Sequence, residues 1–79
     1  MRSQTTRDSR EAFAALPPNI QRQAGEAYRY FLTDPRHPGL HFKRILKKPP
    51  LYSARVGISY RAVGVAEGDL IVWFWIGPH

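Results

Sequence analysis

Seven consecutive apolar residues, Leu70-Ile71-Val72-Trp73-Phe74-Trp75-Ile76, constrain the fold of this chain more than any other feature. A β-strand sends successive side chains to opposite faces, so a run with no polar position must be covered on both. Such a strand belongs in the middle of its sheet. The run is far shorter than the roughly 18 residues a membrane span needs. Glu67-Gly68 stands before it as a turn signal, and Tyr60–Val65 as the partner strand of a hairpin. With those two residues as the turn, Val65 pairs with Leu70, Val63 with Val72 and Arg61 with Phe74.

Upstream, alternation predicts two more strands. Tyr52, Ala54, Val56 and Ile58 face one way while Ser53, Arg55, Gly57 and Ser59 face the other. His41–Leu46 reads as a strand before the loop Lys47-Lys48-Pro49-Pro50. The first 34 residues read differently. Thr5 or Thr6 caps a short helix over Arg7–Leu16, with Asp8 placed for a capping box, and Pro17-Pro18-Asn19 breaks it. Ile20, Ala24, Ala27, Tyr28, Phe31 and Leu32 then form one apolar stripe at helical period, closed by Asp34-Pro35. The sequence therefore predicts an α+β domain: an N-terminal helical hairpin packed on a three- to four-stranded antiparallel β-sheet, with a further short strand allowed at Met1–Thr5.

No repeat or linker divides the 79 residues, so residues 1–79 read as a single domain. Without cysteine, neither disulfides nor a thiolate zinc site can staple so small a fold, and apolar packing must hold it. Absence of cysteine suits a reducing compartment, and the mixed charges of Met1–Glu11 are unlike a signal peptide. A soluble cytoplasmic protein is expected, with no membrane partner.

The net charge of +6 is concentrated in one block. From Pro35 to Ala66 there is no acidic residue, while Arg36, Lys43, Arg44, Lys47, Lys48, Arg55 and Arg61 all fall there. The segments on either side are near neutral or acidic. A surface that serves only solubility mixes both signs; a one-signed block attracts polyanions. No Gly-rich phosphate loop, Ser-His-Asp arrangement or metal-ligand spacing occurs, so no metal and no small-molecule cofactor is expected.

The element order, together with Leu16-Pro17, Asp34-Pro35-Arg36-His37-Pro38, Leu40-His41-Phe42-Lys43, Tyr52-Ser53-Ala54-Arg55-Val56, Tyr60-Arg61-Ala62 and Trp73-Phe74-Trp75-Ile76-Gly77-Pro78-His79, resembles the RelE/ParE toxins. The resemblance implies a toxin held by a cognate acidic antitoxin. In the RelE branch it implies a ribosome-dependent endoribonuclease acting on messenger RNA. In the ParE branch it implies action on DNA gyrase without RNA cleavage, and an inactive antitoxin-binding remnant is a third reading.

Metal-free RNA cleavage needs a base for the 2′-hydroxyl, an acid for the leaving 5′-oxygen and cations for the charge that builds on phosphate. By resemblance, Arg55 is the basic residue on the polar strand face, Arg61 the Arg of the family's Tyr-Arg motif, and His79 the Arg or His after the final Gly. Ser53 departs from the pattern, being basic in the best-known branch. Many members also carry a Tyr several residues beyond the His79 position, and this chain ends at His79. Each candidate has a plain structural alternative: Arg55 as a surface residue, Arg61 as an arginine paired with an acid, His79 as a frayed end. Lys43, Arg44, Lys47 and Lys48 are read as ribosomal RNA or phosphate contacts, which need charge more than geometry. His37 and His41 flank a Pro-Gly turn and are read as loop residues before ligands or phosphate contacts. Trp73 and Trp75, on one face, are read as core before base-stacking platforms.

Overall fold

Short polar Met1–Thr5 becomes a strand because the apolar run has an edge to fill. In the computed structural model, which describes residues 1–79, the chain runs β1 (Arg2–Thr5), α1 (Arg7–Ala14), α2 (Pro18–Thr33), a 3₁₀ turn (Pro38–Leu40), β2 (Lys43–Leu46), β3 (Leu51–Val56), β4 (Tyr60–Glu67) and β5 (Leu70–Pro78). The sheet order is β1-β5-β4-β3-β2. The class is α+β as expected, but the sheet has five strands and is mixed, since β1 runs parallel to β5. That corrects the expected three- to four-stranded antiparallel sheet. The helices also follow a strand and do not open the chain. The amide of Arg2 donates to the Asp69 carbonyl at 2.8 Å, and the amide of Thr6 to that of Trp73 at 2.9 Å. Arg2 and Asp69 add an exposed ion pair at 3.1 Å. With β1 and β4 on its two sides, Leu70–Trp73 of β5 takes the interior place its apolar run calls for, whereas Phe74 and Trp75, beyond the end of β1, are 37% and 40% exposed.

Thr6 is the N-cap of α1: its Oγ1 accepts from the Ser9 amide at 3.1 Å, and the Ser9 hydroxyl donates to the Thr6 carbonyl. Ser9 occupies the third helical position, so Asp8 forms no capping box, although it still favours the positive end of the helix. The Gln21 amide group donates to the carbonyls of Phe13, Ala14 and Leu16. It satisfies the acceptors left open where α1 stops. α2 starts at Pro18, where a missing N–H costs nothing.

The core comprises Phe31, Leu40, Ala54, Ile71 and Trp73, with Ala27, Phe42, Tyr52, Ala62 and Ala66 packed around it. The Phe31 ring meets Phe42 and Trp73 edge-on, each at 5.2 Å. The helical stripe is narrower than its periodicity predicts. Ala24 and Phe31 are buried, but Leu32 is 53% exposed and Tyr28 is exposed over β1, its hydroxyl 2.7 Å from that of Ser3.

Two features of the β4–β5 hairpin differ from the sequence reading. Gly68-Asp69 forms the turn and Glu67 pairs with Leu70, because Gly68 takes the left-handed φ of +62° that the first residue of a tight hairpin loop requires. Phe74 is then the extra residue of a β-bulge, which advances the alternation by one place. Gly64 pairs with Trp73, Val63 with Trp75 and Arg61 with Gly77, where Phe74 was expected. The two indoles therefore do not share one environment: Trp73 is 6% exposed and Trp75 is 40% exposed. At the other end, β3 stops at Val56 and Ile58 stands in the β3–β4 turn at 87% exposure, not beside Val56 as alternation suggested.

Candidate phosphate-binding site

Strand register builds the site. Ala54, Ala62, Ile71 and Trp73 point to the helices, so their neighbours along each strand point to the opposite face. Arg55 and Arg61 are direct cross-strand partners there, and Gly77 lies beyond Arg61 on β5. The His79 amide donates to the Ser59 carbonyl at 2.7 Å, which holds the chain end against the β3–β4 turn. By register Arg55, Arg61 and, by alternation, His79 start from one face at the same end of the sheet, but the Arg55 side chain reaches the depression beside α2 and the 3₁₀ turn. Gly77 keeps this spot open for aromatic cover: a Cβ at that position would meet Trp75 Cζ2 at 2.7 Å.

Ser53 is buried on the same face, and its cross-strand partner is Lys43. A cation is therefore supplied beside Ser53 from the neighbouring strand. The other basic residues do not join it. Arg44 pairs with Tyr52 and so faces the helix side. Lys47 and Lys48 lie in the turn before Leu51, four residues along β3 from Arg55, or roughly 13 Å at strand spacing. All four residues Lys43, Arg44, Lys47 and Lys48 are exposed.

Cations dominate the site: Glu26 borders the depression of Arg55 but forms no ion pair with it. The protein's two ion pairs, Arg2–Asp69 and Arg7–Glu11, lie elsewhere. Arg61 has no carboxylate partner, which removes the reading of it as an acid-paired structural arginine. Its Nε is shut off from solvent and has no hydrogen-bond partner. A buried donor left unpaired is costly in any fold. Two like charges placed directly opposite on a sheet add to that cost. The outer nitrogens of the half-buried Arg61, unlike its enclosed Nε, are open to an anion, and a forked guanidinium suits phosphate.

One neighbour of Arg55 is His41, which the sequence reading placed in a loop before a phosphate contact. Arg55 Nη1 lies 3.3 Å from His41 Nε2. His37, in contrast, is the loop residue expected: its Nδ1 accepts from the Gly39 amide, and its ring stacks on Tyr30 at 4.1 Å. Nothing local in the sequence separates these two histidines. A second concavity, an apolar cleft of about 280 Å³, opens on the helix side among Phe13, Ala24, Tyr28, Phe31, Val56 and Trp73. The buried Trp73 indole N–H on its wall has no acceptor. No helix is long and apolar enough to cross a membrane.

No family model and no curated protein matches the sequence. Solved structures do match. A chain of the archaeal RelE–RelB complex from Pyrococcus horikoshii OT3 superposes with a TM-score of 0.75 at 20% identity, over 98% of this chain and 92% of that one. The YoeB/ParE toxin from Agrobacterium tumefaciens gives 0.74 at 13% identity, over 100% and 99%. The RelBE2 toxin–antitoxin complex from Mycobacterium tuberculosis gives 0.65 at 22% identity, over 99% and 96%. The chain has the fold of the RelE/ParE toxins.

Proposed function

We propose that this protein is the toxin of a toxin–antitoxin pair and a metal-independent endoribonuclease that cuts messenger RNA on the ribosome. The observation that carries the reading is the Arg55–Arg61 pair, without a counter-ion and with the buried Nε of Arg61 unpaired. In this reading the two guanidinium groups grip the scissile phosphate and stabilise the charge that develops as the 2′-oxygen attacks phosphorus and the 5′-oxygen leaves. His79 moves a proton at that end of the sheet, a task imidazole suits near neutral pH. Lys43 extends the cationic face, while Arg44, Lys47 and Lys48 contact ribosomal RNA by charge.

The partner is a cognate acidic antitoxin. The RelE–RelB and RelBE2 complexes are the likeness that supports it. An acidic, partly disordered segment suits the acid-free block, and its apolar side chains suit the cleft between the helices and the sheet. The setting is the cytoplasm, where ribosomes are found.

Single-turnover cleavage of ribosome-bound message tests the nuclease reading. Arg55→Ala is expected to abolish cleavage while circular dichroism stays that of the parent, since Arg55 is exposed. Arg55→Lys restores part of the activity, keeping the charge but losing the two-pronged grip. His79→Ala loses on the order of 10²–10⁴ in rate, the share of a proton-transfer group. A folded Arg55→Ala that cuts at the parental rate removes the assignment. Gyrase-linked DNA breaks on induction, without new RNA ends in translated codons, would transfer it to the gyrase-directed branch.

A further inference from the structure

We propose that His41 is the second arm of the Arg55 site and makes phosphodiester binding there a proton-coupled event. The proposal rests on the nuclease reading only in taking RNA as the anion.

The contact assigns the two roles. Arginine is a donor and keeps its proton in proteins. His41 Nε2, 3.3 Å from Arg55 Nη1, is the acceptor when the ring carries its hydrogen on Nδ1. A protonated ring would set N–H against N–H and cation against cation, and the contact would be lost.

An incoming phosphate reverses the relation. Once Arg55 turns its donors to phosphate oxygens, Nε2 has lost its partner and stands beside an anion. A ring that takes up one proton there becomes a cationic donor to a second phosphate oxygen. His41 thus positions Arg55 in the free protein and binds the ligand in the complex. The exchange consumes one proton from solvent and breaks no covalent bond.

The backbone is consistent with a functional placement. His41 is the chain's one non-glycine residue with positive φ, at +46°. It follows the 3₁₀ turn, and its amide reaches the Pro38 carbonyl at 3.4 Å. Non-glycine residues held in left-handed conformations gather at functional sites. This bend brings the ring to Arg55 where β2 no longer flanks β3, since their pairing begins only at Lys43 and Ser53.

The charged and titratable groups around the pair come from every neighbouring element. α2 contributes Glu26 and Tyr30 to the same depression as Arg55. β4 contributes Arg61, β2 contributes Lys43, and His79 follows β5 at the same end of the sheet. His37 opens the 3₁₀ turn but is engaged with Gly39 and Tyr30. Histidine is the side-chain type that changes charge between pH 5 and 8, so replacing His41 alone isolates its part.

The test is fluorescence anisotropy with a short, labelled 2′-O-methyl RNA, which cannot be cut, at fixed ionic strength from pH 8 to pH 6. The parent is expected to tighten on the order of tenfold over that range, as one coupled proton allows. His41→Asn keeps a residue tolerant of the left-handed conformation but removes the titration. With circular dichroism confirming its fold, it should show a clearly shallower profile than the parent, and His41→Asn combined with His79→Asn should show a flat one. NMR of the parent's His41 ring, needing no variant, should show its titration moved to higher pH by the RNA. Binding lost in Arg55→Ala but independent of pH in the parent, or equally pH-dependent in His41→Asn, overturns the role of His41 and leaves the nuclease reading standing. No binding by the parent at any pH overturns the role of His41, and the nuclease reading is then decided by the cleavage of ribosome-bound message.

Discussion

Arg61→Met should make the protein more stable while destroying its function. In the free protein the Arg61 Nε–H is buried with no acceptor. An unpaired buried donor costs about 1–3 kcal/mol. Arg55 stands directly across from it, and a like-charge cross-strand pair adds a few tenths of a kcal/mol more. Methionine fills much of the space of the arginine stem without a donor or a charge. Arg61 is only half-buried, so its outer nitrogens are hydrated and the gain lies at the low end, about 1 kcal/mol. For a domain of this size that raises Tm by about 4–8 °C. Thermal unfolding followed by circular dichroism, in a buffer free of phosphate, measures it. Added phosphate should then raise Tm of the parent, by binding the native state alone, and leave Arg61→Met unmoved. A variant that melts several degrees below the parent refutes this reasoning, and Arg61 is then a structural residue whose charge the fold needs.

Two further outcomes follow from the packing and the charge. Phe31→Ala, at 2% exposure and between two aromatic rings, should cost about 3–5 kcal/mol, whereas Leu32→Ala, one residue on but 53% exposed, should stay within about 0.5 kcal/mol; urea unfolding reads both, and equal losses would show that the assigned helix face is wrong. Lys47→Glu with Lys48→Glu should weaken capture of the acidic antitoxin and flatten the salt dependence of its affinity; titration at two ionic strengths checks this, and an unchanged salt slope would remove these lysines from the interface.

Features set by local chemistry were legible in the sequence. Pro17-Pro18 and Asp34-Pro35 bound the second helix because proline limits its own φ and its neighbour's ψ. The place of β5 in the sheet interior follows from its composition. The register was not legible, for a related reason. A run apolar on both faces has no polar–apolar alternation to interrupt, so the bulge at Phe74 leaves no trace in it. Gly68 fits either slot of a two-residue turn, and only the paired strands choose. β1 was barely visible because four polar residues become a strand through the open edge of β5, at the other end of the chain. The stripe of α2 was read too wide, since periodicity shows which side faces inward but not how far the sheet reaches under Tyr28 and Leu32. For the site, the resemblance singled out Arg55 and Arg61 among the seven basic residues of the acid-free block. Their direct opposition needed the turn at Gly57–Ser59, and the contact with His41 needed a backbone conformation that no pattern announces.

The interior position of β5 also sets the order in which the molecule can come into being. β5 carries Ile71 and Trp73 of the core and is the strand against which both β1 and β4 align. A chain synthesised only as far as Gly68 has its helices and the β2–β3–β4 edge but nothing to join them to β1. Its first strand must wait for nearly its last residues, a sequence separation that slows folding. What waits for β5 is the join between β1 and the β2–β3–β4 part of the sheet, together with the share of the core that Ile71 and Trp73 supply.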